Sequence, residues 1–426
     1  MHKVTQKVMR KVTRKKVLHR VAAPAAAAAL GLALLPGTEA SAGTRDWAAA
    51  WTASPQLPSS GFTPNWSQQG FSHQSVRQVV RVTEAGDEIR IRLSNAYGTS
   101  PLRLTGATVA RAGDGAALEK GSVRHLTFGG ERSTEIPARG SLASDAAQLA
   151  VKGGESVAVT LYFAGTTGPA TFHAQGFTDS YRAAGDHRGD ASGGAFKERT
   201  QSWYYLSGVD VSGGEPAGAV ALFGDSVTDG FGSTPGTNRR YSDALAELVR
   251  RPVLNAGIGG NLVLNDSAWY GERGTARFGR DALDQPGVTT AVVLEGLNDI
   301  GFSEAQAHGY DRPTYFPAPV VPARELIAGY RELIRQAHAK GVRIVGATLL
   351  PLKGSDHWGA HAARVSDEVN RWIRSSGEFD AVVDFDKALA AKSSPDRLAP
   401  EYDSGDALHP NDAGYRRMAE EVARVL

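Results

Sequence analysis

The hydrophobic pattern of this chain changes near residue 215, and that change limits the fold more than any other feature of the sequence. Before it, apolar and polar residues alternate, most clearly in Ile-Arg-Ile-Arg-Leu at 89–93. Similar runs lie at 76–82 and 157–163, with short glycine-containing turns before 89–93 and 157–163. Alternation with a period of two predicts antiparallel strands with one buried face. No long helical pattern interrupts these runs, so we predict an all-β sandwich or jelly roll.

After that point the pattern becomes α/β. Continuous apolar runs at 219–223, 289–294, 343–350 and 381–385, and a shorter one at 253–254, are typical of buried parallel strands. Helical patterns separate them, for example at 323–340, where Gly341 stands at the expected C-terminal cap. This alternation predicts a parallel sheet covered by helices on both faces, a three-layer α/β/α domain. The Gly- and Pro-containing segment at 211–218 is a candidate linker.

The sequence of residues 1–42 is typical of an export signal. A basic segment, a 15-residue apolar run at 21–35 and Ala40-Ser41-Ala42 follow in the order that signal peptidase recognises. The run is too short to span a membrane, so we predict cleavage near Ala42, no transmembrane anchor and a secreted, extracellular protein. The predicted organisation is a signal peptide at 1–42, a β-sandwich domain at 43–215 and an α/β domain at 216–426.

Removal of the leader changes the charge balance. The chain has 47 basic and 45 acidic side chains, of which the leader holds eight and one, so the mature chain carries 39 and 44, a net −5. This balance gives no support to nucleic-acid binding. The chain has no cysteine, which excludes disulfides and thiolate metal sites.

Residues with catalytic chemistry follow the predicted parallel strands, at the edge of the sheet where sites form in such folds. They are Gly224-Asp225-Ser226 with Gly230, the glycine-rich segment 255–260 ending at Gly260, Gly296-x-Asn298-Asp299, and Asp406-x-x-His409 near the C-terminus. A hydroxyl, a backbone turn, an amide and an Asp/His pair are the components of an acyl-transfer site.

These four segments, in this order, resemble the conserved blocks of the SGNH (GDSL) hydrolases. The layout of a β-rich domain before them is similar to that of secreted bacterial two-domain esterases, lipases and acylhydrolases. The resemblance implies a flavodoxin-like α/β/α domain and a serine esterase or lipase. It implies Ser226 as nucleophile, His409 as base and Asp406 as orienting acid. It also implies an oxyanion hole formed by the N–H groups of Ser226 and Gly260 and by the Asn298 amide. No cofactor or metal is expected.

Several segments have simpler interpretations. Gly-Asp-Ser is common in turns, Asn298 can cap one, and Asp406 and His409 can be a surface pair before a helix capped by Asn411 or Asp412. The pair His357 and His361 has metal-ligand spacing but lacks the Glu of the zinc motif, and we interpret it as an ordinary polar loop, although a role in substrate binding is also open. The Ser-centred motif of α/β-hydrolases is absent, because Thr228 stands where it needs glycine.

Substrate selection is expected in loops at 261–270, 301–322 and 351–361. Their aromatic residues can line a pocket, stack on a sugar or simply pack the loops: Trp269, Tyr270, Tyr310, Tyr315, Phe316 and Trp358. The leading hypothesis is a metal-independent carboxylic ester hydrolase acting on a small-molecule, lipid or polysaccharide ester. The alternatives are an acetyl or feruloyl esterase directed at carbohydrate and, outside enzymes, a secreted carbohydrate-binding protein. The sequence fixes neither the substrate nor the oligomeric state.

Overall fold

The first part of the chain is built from antiparallel strands. The computed structural model describes residues 46–61, 63–214, 218–310, 312–316 and 318–426, so the predicted leader and part of the predicted linker lie outside the described residues. The strands of this part are β1 (Ala48–Thr52), β2 (Gln74–Arg81), β3 (Gly86–Ser94), β4 (Leu102–Leu104), β5 (Gly106–Arg111), β6 (Arg124–His125), β7 (Thr134–Ile136), β8 (Ser141–Ala143), β9 (Ala147–Val151), β10 (Ser156–Phe163), β11 (Phe172–His173), β12 (Ser180–Ala184), β13 (Glu198–Thr200), β14 (Trp203–Tyr204) and β15 (Leu206–Ser212).

Two sheets enclose the core of this strand-rich part. One has the order β1-β15-β3-β8, with β9 also paired to β3, and the other has the order β13-β12-β2-β10-β5-β6. Val76 and Leu161 from the second sheet and Ile91 and Val209 from the first meet in one hydrophobic core. Facing sheets that bury their apolar sides against each other are the arrangement that the period of two predicts.

The prediction of one exposed face is wrong for strands β2 and β10. Nearly every residue of β10 is buried. Arg77 on β2 is also buried, and its guanidinium donates to the carbonyls of Ala116 (2.6 Å) and Asp190 (2.9 Å). Loops therefore cover the outer face of this sheet and supply the acceptors that a buried arginine needs. The alternation of apolar and polar residues predicts the strands, but it does not show which loops cover the outer face of the sheet.

The second part of the chain alternates strands and helices. Its strands are β16 (Ala219–Gly224), β17 (Val253–Gly257), β18 (Val288–Leu294), β19 (Arg343–Ala347), β20 (Ala381–Val383), β21 (Ala390–Ala391) and β22 (Ser394–Leu398). Its α-helices are α1 (Ser226–Asp229), α2 (Tyr241–Leu248), α3 (Gly274–Phe278), α4 (Leu297–Ala307), α5 (Ala323–Ala339), α6 (Ala360–Ser375), α7 (Phe385–Leu389) and α8 (Asp412–Ala423). A π-helical turn, Gly279–Leu283, continues α3. In the part of the chain that the structure describes, none of the helices has both the length and the apolar content to cross a membrane.

The parallel sheet confirms the predicted α/β/α architecture. Its order is β17-β16-β18-β19-β20, and all neighbouring pairs are parallel. Helices α2, α7 and α8 pack together, and α3, α4, α5 and α6 form a second group, as expected for helices on the two faces. From β16 the chain continues to β17 on one side, and the later strands β18, β19 and β20 are added on the other side. The order of the strands therefore reverses between β16 and β18, and ligands bind at such a switch point in open α/β sheets.

Strand register brings the predicted site segments to one edge of the sheet. Gly224, at the end of β16, lies opposite Gly257 of β17 and Leu294 of β18. Ser226, Gly260 and Asn298 follow these three positions by two to four residues. The site residues that the family resemblance implies therefore lie just after the ends of neighbouring strands, at the same edge of the sheet.

The strand-rich part packs directly against this sheet. Ala49 of β1 lies in a small apolar cluster with Ala219 and Leu254. Thr52 Oγ1 donates to the Asn255 carbonyl at 3.2 Å, and Thr83 Oγ1 donates to the Val253 carbonyl at 3.0 Å. Each part keeps a large hydrophobic core of its own. The division into domains at 43–215 and 216–426 stays a prediction.

Candidate active site

Ser226 stands where β16 turns into a helix. Asp225 caps α1 by accepting the Val227 N–H at 3.0 Å, and Gly230 ends the helix with φ = 112°. This single turn puts the neighbours of Ser226 in the core but leaves the serine itself partly accessible. The strand, the cap and the glycine together hold the hydroxyl at the sheet edge.

A hydrogen-bonded chain runs from Ser226 to Asp406. Ser226 Oγ lies 2.8 Å from His409 Nε2, and His409 Nδ1 lies 2.6 Å from Asp406 Oδ2. The other Asp406 oxygen accepts the backbone N–H groups of Leu408 (2.9 Å) and His409 (2.8 Å). With Nδ1–H donating to the carboxylate, Nε2 is free to accept the serine proton, which is the geometry of nucleophile, base and orienting acid.

The environment of Asp406 keeps its carboxyl group ionised. Burial alone would raise the pKa of Asp406, but the hydrogen bond from His409, the charge of that ring and the two backbone N–H donors outweigh it and hold the pKa well below the ordinary value of 3.8. The carboxylate can therefore orient the ring and stabilise an imidazolium without taking up a proton.

The loop that carries His409 ends in a helix cap. Asn411 Oδ1 accepts the Gly414 N–H at 3.0 Å and caps α8. The structure thus shows both the cap suggested as the simpler interpretation and the contact between His409 and Ser226. Ala407 has φ = 59°, a conformation unfavourable for a residue with a Cβ, and this tight turn directs two backbone N–H groups at Asp406.

Gly260 follows β17 in a conformation that requires glycine. Its φ is 77°, and a Cβ at this position would lie 2.4 Å from the Tyr270 ring. Within the described residues, neither the Gly260 N–H nor the Ser226 N–H donates a hydrogen bond. Both donors are thus available to a ligand in the cavity that these residues line.

Asn298 lies in the first turn of α4. Gly296 caps this helix with φ = 121°, and a Cβ there would lie 2.6 Å from the Tyr330 hydroxyl. Asn298 Nδ2 donates to the Asn261 carbonyl at 3.0 Å. An amide nitrogen has two hydrogens, so one remains for a ligand. Asn298 lines the same cavity as Ser226 and Gly260.

This cavity has a volume of about 550 Å³ and brings together all five predicted site residues. Three of the predicted rim aromatics line it, namely Tyr270, Tyr310 and Tyr315, whereas Trp269, Phe316 and Trp358 do not. The segment 301–322 is not entirely a loop, because α4 continues to Ala307. Phe302, Arg312 and Asp356, which belong to the predicted substrate-selection segments, also line the cavity, and so do Gln175 and Phe231, which lie outside those segments.

The strand-rich part reaches this site through two side chains. Gln175 lines the cavity. His173 is buried, and its Nε2 contacts Asp229 Oδ1 at 3.0 Å while Nδ1 contacts the Ser54 carbonyl at 2.9 Å. The other Asp229 oxygen accepts the Gly259 N–H at 2.8 Å, next to Gly260. Nothing in the local sequence around His173 and Gln175 indicates that they approach the turn at Gly260.

Buried carboxyl groups lie beneath the site. Asp225, Glu295 and Asp299 are almost fully buried, and burial is the main cause that raises the pKa of each, for Glu295 and Asp299 to about 7. Neither Glu295 oxygen has a hydrogen-bond partner among the described residues, although Arg277 Nη2 lies 3.6 Å from Oε1. Protonated Glu295 is therefore the favoured form in the folded state at acidic pH.

Glu295 should make stability depend on pH. Its pKa is raised from 4.5 to about 7, so its contribution to stability is complete below pH 4.5 and is lost as the pH rises through 7. Glutamine does not titrate, so the variant Glu295→Gln lacks this pH dependence. Between pH 4.5 and 7 we expect its free energy of unfolding to rise relative to that of the native protein by about 3 kcal/mol. Urea unfolding at several pH values measures it, with exposed Glu401→Gln as the control. A difference that stays constant with pH would contradict this account.

The two histidines of the 351–361 segment contact different groups. His357 is 3% exposed, and its Nε2 lies 3.1 Å from Asn298 Oδ1. His361 Nε2 contacts the Val321 carbonyl at 3.0 Å. Within the described part of the chain, no group of three or more His, Cys, Asp or Glu side chains is arranged to hold a metal. The interpretation as an ordinary polar loop is wrong for His357, because this buried ring contacts a predicted site residue.

Comparison with known proteins shows a similarity between this region and one family. The profile of the GDSL-like lipase/acylhydrolase family matches residues 222–417. No curated protein matches the chain. Similar solved structures include a GDSL-like lipase from Bacteroides thetaiotaomicron VPI-5482, with 16% identity over 49% of this chain and 86% of that one and a TM-score of 0.37. A mutant of an acetylxylan esterase from Geobacillus stearothermophilus has 23% identity over 49% of this chain and 95% of that one, with a TM-score of 0.35.

Proposed function

We propose, from the premise that residues 222–417 belong to the GDSL-like lipase/acylhydrolase (SGNH hydrolase) family, that this serine ester hydrolase works through an acyl-enzyme on Ser226. The observation that carries the proposal is the chain Ser226–His409–Asp406, with contacts of 2.8 and 2.6 Å, at the wall of the cavity that Gly260 and Asn298 also line. This chain of contacts favours an enzyme over a purely carbohydrate-binding protein, because sugar binding needs no serine paired with a base.

The first half of the reaction forms the acyl-enzyme. Ser226 Oγ attacks the ester carbonyl carbon while His409 Nε2 takes the hydroxyl proton. The carbonyl oxygen becomes an oxyanion, which accepts hydrogen bonds from the N–H groups of Ser226 and Gly260 and from the Asn298 amide. The bond to the alcohol oxygen then breaks, and His409 returns its proton to that oxygen. Asp406 holds the ring in the required tautomer throughout.

The second half releases the acid. Water attacks the acyl carbon, gives a proton to His409, and forms a second oxyanion at the same donors. The bond to Ser226 Oγ breaks and the serine recovers its proton from His409. The cycle needs no group beyond these residues, so hydrolysis of p-nitrophenyl acetate should proceed in the presence of a chelator. Loss of hydrolysis in the chelator, restored by a metal, would contradict the proposal.

An ester of a hydroxylated, carbohydrate-type alcohol is the second candidate substrate class. The side chains of Gln175, Arg312 and Asp356 on the cavity wall can bond to hydroxyl groups, and Tyr310, which is 43% exposed, offers a ring on which a sugar can stack. Comparing acetylated or feruloylated xylan with medium-chain glycerides separates the two classes. Activity confined to the glycerides would exclude the carbohydrate ester.

Secretion is also part of the proposal. Its support is the basic and apolar leader that ends at Ala40-Ser41-Ala42. Expression with the leader in a bacterial host should give a protein in the medium that begins at Gly43. An uncleaved chain, or a mature protein that begins far from this residue, would contradict it.

A further inference from the structure

His357 belongs to a chain of contacts that ends at Asn298. Its Nε2 lies 3.1 Å from Asn298 Oδ1, and its Nδ1 lies 2.7 Å from Asp356 Oδ1. Tyr315 donates its hydroxyl proton to the other Asp356 oxygen at 2.8 Å. The chain Tyr315–Asp356–His357–Asn298 therefore ends on the amide that stands among the oxyanion donors.

The contacts of Asn298 fix the direction of the bond from His357. Asn298 Nδ2 donates to the Asn261 carbonyl, which can only accept, so Oδ1 is the atom that faces His357. An amide oxygen also only accepts, and His357 Nε2 must therefore carry a hydrogen.

Asp356 contacts the other nitrogen of the His357 ring. Burial alone would raise the pKa of Asp356, but the hydrogen bond and charge of His357, together with Tyr315 and Arg312, lower it to about 2. The carboxylate oxygen Oδ1 lies 2.7 Å from His357 Nδ1 and fixes the orientation of the ring. Both ring nitrogens of His357 are therefore held by contacts, Nδ1 by Asp356 and Nε2 by Asn298.

Packing around the ring is tight and specific. The rings of Phe302 and Tyr315 meet His357 edge to face at centroid distances of 5.5 and 6.1 Å. A Cβ at Gly301 would lie 2.0 Å from His357 Cδ2, so the absence of a side chain there lets the ring sit against α4. Gly301 is one helical turn after Asn298, and this packing holds the ring at the amide.

We propose that His357 is a positioning residue that orients the Asn298 amide and strengthens it as an oxyanion donor. A hydrogen bond donated to an amide oxygen draws electron density from the nitrogen and makes its remaining N–H a stronger hydrogen-bond donor. Because His357 and Asn298 are both buried, this hydrogen bond is held in place and is more effective than it would be in solvent. The inference rests on the proposed function, because it assigns Asn298 to the oxyanion formed at Ser226.

The test measures kcat and KM for p-nitrophenyl acetate with His357→Gln. Direct loss of an oxyanion donor costs on the order of 10²–10³ in kcat, so weakening one should lower kcat roughly tenfold to a hundredfold with little change in KM. His361→Gln is the matched control, since this histidine is four residues away and contacts Val321 instead. A loss confined to KM, or an equal loss of kcat in the control, would overturn the proposal.

A double-mutant cycle separates a specific role from general damage. In an Asn298→Ala background, His357→Gln should cause almost no further loss of kcat, because the amide on which it acts is absent. If His357→Gln lowers kcat by the same factor in the native protein and in the Asn298→Ala variant, the proposal is overturned. If His357→Gln does not fold, Asp356→Asn replaces it in the same cycle, with the same two outcomes. Fluorophosphonate labelling of Ser226 in each variant reports on the proposed function separately, since it does not depend on whether His357 acts through Asn298.

Discussion

Ser226→Ala is expected to abolish ester hydrolysis, with kcat reduced on the order of 10⁶-fold. The reason is that Ser226 Oγ is the protein atom that bonds to the acyl carbon in the proposed cycle. Alanine removes the hydroxyl that lies 2.8 Å from His409 Nε2 while leaving the oxyanion donors in place. Those donors alone give residual catalysis over water but no acyl-enzyme. Steady-state hydrolysis of p-nitrophenyl acetate measures the loss.

The control for this variant is Ser233→Ala. Ser233 lies seven residues further along the chain, and its hydroxyl donates to the Gly230 carbonyl at 2.6 Å rather than to a base. We expect it to keep kcat within a few-fold of the native value. A Ser226→Ala protein that is folded by circular dichroism and still turns over the ester at a comparable rate would contradict the assignment of the nucleophile.

Asp406→Asn is expected to lower kcat by about 10⁴-fold with the fold intact. Two backbone N–H groups point at Asp406 Oδ1, so an asparagine must place its own oxygen there and its NH₂ group toward His409 Nδ1. That NH₂ donates a hydrogen and leaves the ring proton on Nε2. Because Nε2 faces Ser226 Oγ, the ring can no longer accept the serine proton.

Asp403→Asn is the matched control, measured by the same ester assay. Asp403 lies in the same loop, and its Oδ1 accepts the N–H groups of Gly405 (2.8 Å) and Ala407 (3.0 Å), which an asparagine oxygen can also accept. It should therefore retain most of the activity. Equal losses in the two variants would mean that the loop conformation is what matters, and near-native activity of Asp406→Asn would remove its role as the orienting acid.

The architecture of the second part could be predicted because its physical signals are local. A buried parallel strand needs a continuous apolar run, and a covering helix needs an apolar stripe, so the alternation of the two between 219 and 385 indicates the α/β/α layers. Parallel strands end at one edge, which is why Ser226, Gly260 and Asn298 could be expected together from their positions after β16, β17 and β18.

Contacts between distant segments could not be predicted in the same way. The ion pair of His173 with Asp229 joins residues 56 positions apart, and the contact of His357 with Asn298 joins residues 59 positions apart. The sequence around His173 carries no signal of its contact, and the spacing of His357 from His361 suggests a metal pair rather than a contact with Asn298. Only the folded packing, such as the space left by Gly301, brings each ring to its partner.

Each of these two buried histidines contacts a residue in or next to the proposed oxyanion site. His173 contacts Asp229, which accepts the N–H next to Gly260, and His357 contacts the amide oxygen of Asn298. Burial opposes a charge on His173, but the carboxylate of Asp229 and the Ser54 carbonyl outweigh it and raise its pKa. A preorganised oxyanion site needs donors that do not move when charge develops, and both contacts restrict such movement.

The most direct measurement of the central claim is fluorophosphonate labelling followed by peptide mass mapping. The reagent reacts with a serine that an adjacent base activates, and the proposed mechanism predicts one phosphonyl group on Ser226, with activity lost in proportion to labelling. Inactivation with the label on a different residue, or hydrolysis that persists in a protein fully labelled at Ser226, would contradict it.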